Sequence, residues 1–486
     1  MAVRQEREET APERRQRLAI VVALSLVAAT LCLLFVGRHS LWLDEAVSLR
    51  AALVPWDGLA HELAREANMP AYYLLLRAWS ALGTGEAILR SLSVVFAVAT
   101  VPVLYALVAR LFDVRVAAIA SLLLSVNAFF VHYAQEVRGY SLLLLASVCA
   151  TYFFVRGVRQ SSWRVWAAYA AAIAVAFHTH NFGLWIPVVH GASLLFLTGR
   201  RVPRRDYLGA CAVAAVISVP FARVVVDASD QDKLAWVARP AVGDVVEAYE
   251  RLAGDNFGSP LLKWSYLVAC VLGLLAAARV LRSAGRWEKF WPHGLLLTWV
   301  TVPVVGSYVF SVMVTPVFVP RYLIVSLPAL VVLAALGLAQ LPPRLLAAAG
   351  LVVVGTSLTA VTRWYGSDGQ ENWRSATAHV VSRLGSNDLV VVTPAYLRLP
   401  LGYYSDRLGL PSELISSEVG VLDAGRRDTV WVMQGRLVPP RRFSCLLNRT
   451  HVKVGEQRFT GVLVKEFRPR QTPAPGSAPA PRGPVC

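Results

Sequence analysis

Charge is scarce in this chain. Only 16% of its 486 residues are Asp, Glu, Lys or Arg, 56% are hydrophobic, and the mean hydropathy is +0.51. That leaves too little polar surface for a water-soluble globule of this length. Acidic residues are scarcer still, 31 against 48 basic ones, giving a net charge of +17. The basic residues fall in short clusters between apolar runs and form no continuous stripe, so the footprint of a nucleic-acid binder is missing; topology and anionic lipid account for the charge instead. The six cysteines lie far apart, Cys32, Cys149, Cys211 and Cys270 in apolar runs, Cys445 in a polar region and Cys486 at the end. None has metal-binding or redox spacing. No small-residue cleavage site follows the first apolar run, so it does not read as a removed signal. No internal repeat is evident, and the centres of the apolar runs are nearly free of charge. Both absences count against the alternative of a secondary transporter or lipid flippase, which needs ionisable groups near the membrane midplane.

What is present is a succession of apolar runs near the 20 or so residues that a spanning helix requires. Eleven spans are expected, near 17–37, 88–109, 115–133, 139–157, 164–179, 182–199, 207–226, 263–281, 291–313, 321–340 and 344–362. Arg4, Arg7, Arg14, Arg15 and Arg17 precede the first span, and further basic groups follow the even-numbered ones. Because Lys and Arg concentrate in short cytoplasmic loops, residues 1–16 form a cytoplasmic segment. An odd number of spans then places the C-terminal region outside. The expected architecture is an all-α polytopic membrane protein with a transmembrane domain over 17–362, including an external loop at 39–87, and a small external α/β domain over 363–467.

Within the first loop, Trp56, Leu59, Leu63 and Ala67 recur at helical spacing beside Asp57, Glu62, Arg65 and Glu66, the pattern of a helix lying on the interface. Asn68-Met69-Pro70 reads as a cap with Pro in the first helical turn. The loop near 227–262 reads as solvated, with a cover over an external cavity as the alternative. Residues 371–381 predict a helix, and 388–393, 429–433 and 461–465 predict strands. From 468 to 486 the Pro, Ala and Gly content describes a disordered tail.

The candidates for chemistry lie beside the spans. In Leu41-Trp-Leu-Asp-Glu-Ala-Val-Ser48, the carboxylates Asp44 and Glu45 follow the first span closely. Arg138 stands just before Tyr140, and Arg321-Tyr322 opens the tenth span. An arginine so placed either snorkels to the interface or binds an anion. His178 and His180, one residue apart, can ligate a divalent metal with Asp44 or Glu45, hydrogen-bond a phosphate, or cap the helix end.

In order, Leu43-Asp-Glu-Ala, Asn68-Met-Pro-Ala-Tyr-Tyr, Tyr133-Ala-Gln-Glu-Val-Arg-Gly-Tyr140, His178-Thr-His-Asn-Phe-Gly183, Val319-Pro-Arg-Tyr-Leu323 and Trp373-Arg374 resemble the bacterial GT-C class of membrane glycosyltransferases, in the protein O-mannosyltransferase and aminoarabinose-transferase-like group. Many members have His-Pro-Pro where this chain has Asn68-Met69-Pro70. The resemblance implies a multi-pass enzyme of the bacterial plasma membrane with a polyprenyl-phosphate-linked sugar as donor, mannose by default. It further implies a hydroxyl acceptor on a protein, glycan, lipid or metabolite, and inversion at the anomeric carbon. In that scheme Asp44 is the general base, and Glu45 orients it, binds acceptor hydroxyls or serves a metal. Arg138 and Arg321 bind the donor phosphate, with Tyr140, His180 and Tyr322 as further hydrogen-bonding groups. A divalent metal, held by Glu45, His178 and His180, is the one possible cofactor.

Overall fold

The computed structural model describes residues 10–197, 203–227, 237–254, 259–282, 287–416, 427–435 and 441–470. The chain divides into two units, one of Met1–Val36 with Ala51–Gly366 and one of Gly37–Arg50 with Ser367–Cys486. The second unit therefore takes a piece of the first interhelical loop that the sequence assigns to the transmembrane domain.

The first unit is helical. It begins with α1 (Ala11–Leu33); α2 (Leu43–Leu53) starts in the second unit and ends in the first. The amphipathic stretch becomes α3 (Trp56–Glu66) and the aromatic stretch α4 (Pro70–Trp79). Asn68 does not cap α4. Met69 holds that place in the left-handed conformation at φ 59° without a side-chain cap. Then follow α5 (Glu86–Leu111), α6 (Val114–Val126), α7 (Ala128–Ala134), α8 (Tyr140–Arg159), α9 (Trp163–Thr179), α10 (Trp185–Ser193), α11 (Arg204–Asp227), α12 (Val242–Leu252), α13 (Pro260–Arg282), α14 (Trp287–Met313), α15 (Leu327–Leu338) and α16 (Pro343–Gly366).

Among the described residues, eight helical stretches are long and apolar enough to cross a membrane, and nine if α6 and α7, bent by 58°, count as one span. The expected spans at 164–179 and 182–199 correspond to α9, 17 residues long, and to the apolar run Asn181–Phe196. At about 1.5 Å per α-helical residue and about 2.0 Å per 3-10 residue, α9 gives about 25 Å and the Asn181–Phe196 run, seven of whose residues are 3-10, about 27 Å, both a little under a hydrocarbon core of about 30 Å. Among the described residues these two of the eleven expected spans are the ones outside the count made by length and composition.

The bend after α6 has a local cause. Asn127 adopts an extended conformation, and its Oδ1 accepts the Phe130 N–H at 3.0 Å to cap α7. Its Nδ2 donates to the Leu252 carbonyl at 3.0 Å, tying down the end of α12. The 227–262 loop is thus in part a packed helix, with Ala248 and Leu252 buried; residues 228–236 and 255–258 lie outside the described set.

In the second unit, β1 (Leu389–Thr393), β2 (Ile415–Ser416), β3 (Val430–Gln434), β4 (His451–Phe459) and β5 (Val462–Pro469) form one sheet in the order β2-β1-β3-β5-β4. The pairs β1/β2 and β1/β3 are parallel, and β3/β5 and β4/β5 antiparallel. With α17 (Trp373–Val381), α18 (Arg398–Leu408) and α19 (Arg441–Thr450) this is the expected small α/β domain. Leu389, Val391, Val430, Val432 and Phe467 of the strands pack with Phe443 and Leu447 of α19. The strand β4 was not legible in the sequence because it is an edge strand with mostly exposed side chains.

Helices α13 and α15 approach backbone to backbone: a Cβ at Gly337 would fall on the Ala269 carbonyl oxygen and lie 2.7 Å from the Gly273 nitrogen. Gly337→Ala should therefore lower the thermal unfolding midpoint in detergent by the equivalent of about 1–3 kcal/mol. Gly355→Ala, in α16 with nothing within 4 Å of the added carbon, should leave it unchanged or raise it by up to about 1 kcal/mol.

Candidate active site

The turn Gln135–Gly139, between α7 and α8, is held from several sides. Gln135 Nε2 donates to the carbonyls of Cys32 at 3.0 Å and Leu34 at 2.8 Å, at the end of α1. Its Oε1 accepts the Trp364 indole N–H at 2.7 Å, from the end of α16. The same Trp364 stacks on His132 at 3.9 Å, and His132 Nε2 lies 3.2 Å from Glu136 Oε1. The Gly139 N–H points at Met69 Sδ at 3.5 Å. A Cβ on Gly139 would sit 2.9 Å from Thr179 Cγ2 and 3.3 Å from both the Thr179 carbonyl oxygen and Tyr72 Cβ. Segments around 69–73, 138–140 and 179–180 are brought together at this one α-carbon.

Arg138 is buried, with Nη1 3.5 Å from the Tyr73 hydroxyl. Tyr140 is also buried, and its ring centroid lies 6.0 Å from that of His180. Tyr322, on the 3-10 turn Pro320–Ser326, comes within 4.5 Å of His180 and 6.5 Å of Tyr140. Its neighbour Arg321 is close enough to act electrostatically on His180, as is Arg138. The five residues that the sequence proposes for phosphate binding therefore share one locality in the first unit.

His180 has a defined protonation state. Its Nδ1 accepts the Phe182 N–H at 3.1 Å, so the neutral ring carries its proton on Nε2. Burial, then the positive charges of Arg138 and Arg321, push the imidazole down to about 3, and the ring is neutral at physiological pH. Nε2 is buried without a hydrogen-bond partner. An N–H donor beside two guanidinium groups suits an anion.

His178 is not brought to this cluster. Its Nδ1 donates to the Ala174 carbonyl at 2.8 Å, and its ring stacks on Phe221 of α11 at 5.4 Å. Among the described residues no three His, Cys, Asp or Glu are grouped as a metal would need.

Asp44 and Glu45 occupy the first turn of α2, in the second unit, where acidic side chains suit the helix dipole. Glu45 is fully buried, and Ser48 Oγ donates to the Asp44 carbonyl at 3.0 Å. The segment before them is anchored within its own unit. Arg374 donates to the carbonyls of Arg38, Gly37 and His39 at 3.0, 3.2 and 3.3 Å. The Tyr404 hydroxyl accepts the Leu41 N–H at 2.7 Å, and Glu371 Oε2 accepts the Leu43 N–H at 3.2 Å. Tyr404 and Glu371 were not singled out from sequence; Trp373-Arg374 was, without a task.

Compared with known proteins, residues 67–223 match the model of the dolichyl-phosphate-mannose-protein mannosyltransferase family. That range includes Arg138, Tyr140 and His180 and excludes Asp44 and Arg321. Among solved structures, ArnT from Cupriavidus metallidurans in the apo state is 16% identical, with a TM-score of 0.61 over 92% of this chain and 97% of that one. The same protein bound to undecaprenyl phosphate gives 17% and 0.58 over the same shares. The oligosaccharyltransferase AglB from Archaeoglobus fulgidus, in complex with an inhibitory peptide and a dolichol-phosphate, is 10% identical with a TM-score of 0.54 over 96% of this chain and 76% of that one. No curated protein sequence matches significantly. At these identities the likeness is one of fold, the fold shared with ArnT and AglB.

The His180 environment sets a pH dependence. Below its ordinary value of 6.5 the unfolded chain takes up a proton that the folded chain, whose His180 titrates at about 3, does not. This contribution to stability is constant above pH 6.5, falls as the pH drops below it, and levels off below about 3. Unfolding midpoints measured between pH 5 and 7.5 should show His180→Gln losing less stability on acidification than wild type, by about 1.4 kcal/mol per pH unit below the ordinary value.

Proposed function

We propose that this protein is a membrane glycosyltransferase that moves a sugar, mannose by default, from a polyprenyl-phosphate carrier to a hydroxyl acceptor at the external face. The observation that carries the reading is the convergence of Arg138, Arg321, Tyr140 and Tyr322 on a neutral His180 whose Nε2–H has no protein partner. Such a set binds a phosphate leaving group. The binding of undecaprenyl phosphate by ArnT, a protein of the same fold, supports that choice of anion.

A lipid carrier also needs an apolar bed. Val245, Ala248, Tyr249 and Leu252 of α12, Val300, Thr301, Val304 and Val305 of α14, and Ser326 and Leu330 line a cavity of about 170 Å³ with almost wholly apolar walls. Ser326 ends the same 3-10 turn that carries Arg321 and Tyr322. A prenyl chain lying there begins one short turn from the proposed phosphate site.

In the reaction, the acceptor oxygen attacks the anomeric carbon as the bond from that carbon to the phosphate oxygen breaks, which inverts the configuration. Asp44 takes the acceptor proton as general base, a task worth roughly 10²–10⁴ in rate. Arg138 and Arg321 meet the negative charge that grows on the departing phosphate, with His180 and the two tyrosine hydroxyls as neutral donors. Glu45, buried beside Asp44 in sequence, orients the base or the acceptor.

The basic N-terminal segment supports a cytoplasmic N-terminus. The disulfide state of Cys445 in the second unit, against the free thiols of Cys32, Cys149, Cys211 and Cys270, supports an oxidising, external location for that unit.

Purified protein supplied with radiolabelled polyprenyl-phosphate mannose and cell-envelope acceptors should form a labelled product. Asp44→Asn should lower turnover at least about 10²-fold with donor binding retained; near-normal turnover removes Asp44 as base. Arg138→Ala and Arg321→Ala should each raise the donor concentration needed for half-maximal rate and lower the maximal rate. Unchanged donor dependence in both overturns the phosphate assignment, and movement of unmodified donor across vesicles without transfer overturns the enzyme reading.

A further inference from the structure

A second cavity, of about 350 Å³, opens at the other end of α9 from His180, about 25 Å away along the helix. Its walls are Ser161 and Trp163 at the start of α9, Trp166, Ala167 and Ala170 along it, and Asp206, Ala210 and Val213 of α11. The small residues leave a groove that runs along both helices. Trp163 is 75% exposed, the disposition of an aromatic residue at the headgroup level.

The mouth of the cavity has fixed polarity. The Trp166 indole N–H donates to Ser161 Oγ at 2.8 Å, and Ser161 in turn donates its only proton to Asp206 Oδ2 at 2.6 Å. This relay fixes the carboxylate as an acceptor at the rim. Asp206 forms no ion pair among the described residues, although Arg204 and Arg205 precede it in the first turn of α11 and Arg164 stands in the first turn of α9. One held carboxylate thus lies at the rim of an apolar groove, and the first turns of the two helices that wall it carry three exposed arginines, Arg164, Arg204 and Arg205.

We propose that this cavity is a binding site for a phospholipid whose headgroup carries both a phosphate and a primary ammonium, of the phosphatidylethanolamine type. The acyl chains follow the groove beside Ala167, Ala170, Ala210 and Val213. The phosphate meets Arg164, Arg204 and Arg205, and the ammonium donates to Asp206. A purely anionic headgroup satisfies the arginines and is repelled by Asp206, while a trimethylammonium headgroup brings no N–H to donate. The arrangement therefore selects among lipids, as a basic patch alone does not.

The test incubates the purified full chain in detergent with equimolar dioleoyl phosphatidylethanolamine, phosphatidylcholine and phosphatidylglycerol, followed by repurification and mass-spectrometric counting of retained lipid. Wild type should retain phosphatidylethanolamine at least fivefold over each of the others. Asp206→Asn should reduce that preference to less than twofold, and Ala167→Phe, which fills the groove from an exposed position, should lower retention of phosphatidylethanolamine by a similar factor. Arg204→Gln with Arg205→Gln should lower retention of all three. Equal retention of phosphatidylglycerol and phosphatidylethanolamine by wild type overturns the proposal, as does an Asp206→Asn protein that keeps the preference. Sugar transfer is unaffected by Ala167→Phe in either case, which separates failure of this site from failure of the proposed activity.

Discussion

The placing of Arg138 and Tyr140 at the proposed phosphate site depends on how closely the chain can pass itself at Gly139. The residue has Thr179 on one side and Tyr72 on another, near enough that an added Cβ would force Thr179 to shift, and its N–H points at Met69 sulfur. Because Arg138 and Tyr140 flank it, this steric constraint aims both at the turn that carries His180. The need for a side chain of zero volume is the price of assembling one polar site from segments that the sequence separates by dozens of residues.

Around that point the polarity is divided by role. The proposed phosphate pocket consists of donors: two guanidinium groups, an imidazole whose tautomer is set by the Phe182 N–H, and tyrosine hydroxyls. Keeping His180 neutral avoids stacking a third positive charge into a buried volume, whose desolvation would outweigh its attraction for an anion. The apolar cavity beside α12 and α14 is the bed proposed for the carrier's lipid chain.

Most of this was legible in the sequence where chemistry and periodicity coincide. Long apolar runs announce their helices because burial and backbone satisfaction in lipid leave few other solutions, and Arg138, Tyr140, Arg321 and Tyr322 stood out as polar residues beside such runs. The strands β1, β3 and β5 were legible as continuous β-branched runs between turn residues. Less was legible where packing decides. The α6–α7 bend hangs on one asparagine, the left-handed Met69 is no conventional cap, and β4 alternates too little to reveal an edge strand. His178 and His180 looked equivalent on spacing alone; the helix ends between them, so one turns toward Phe221 and the other joins the cluster. The separation of residues 37–50 from their neighbours in sequence had no local signal at all, because it follows from Arg374, Tyr404 and Glu371, over three hundred positions away.

That last feature bears on how such proteins diverge. The proposed base rides on a segment whose backbone carbonyls and amides are claimed by side chains of the C-terminal unit, so in terms of inheritance it is a passenger of that unit. A recombination event that exchanges only the chain after Gly366 would separate the passenger from Arg374 and Tyr404 and leave its backbone groups without their partners. Exchange is conservative only if both pieces travel together or the anchoring residues recur in the incoming domain. The natural unit of modular variation in this architecture is therefore discontinuous, and a boundary drawn once along the sequence misplaces it.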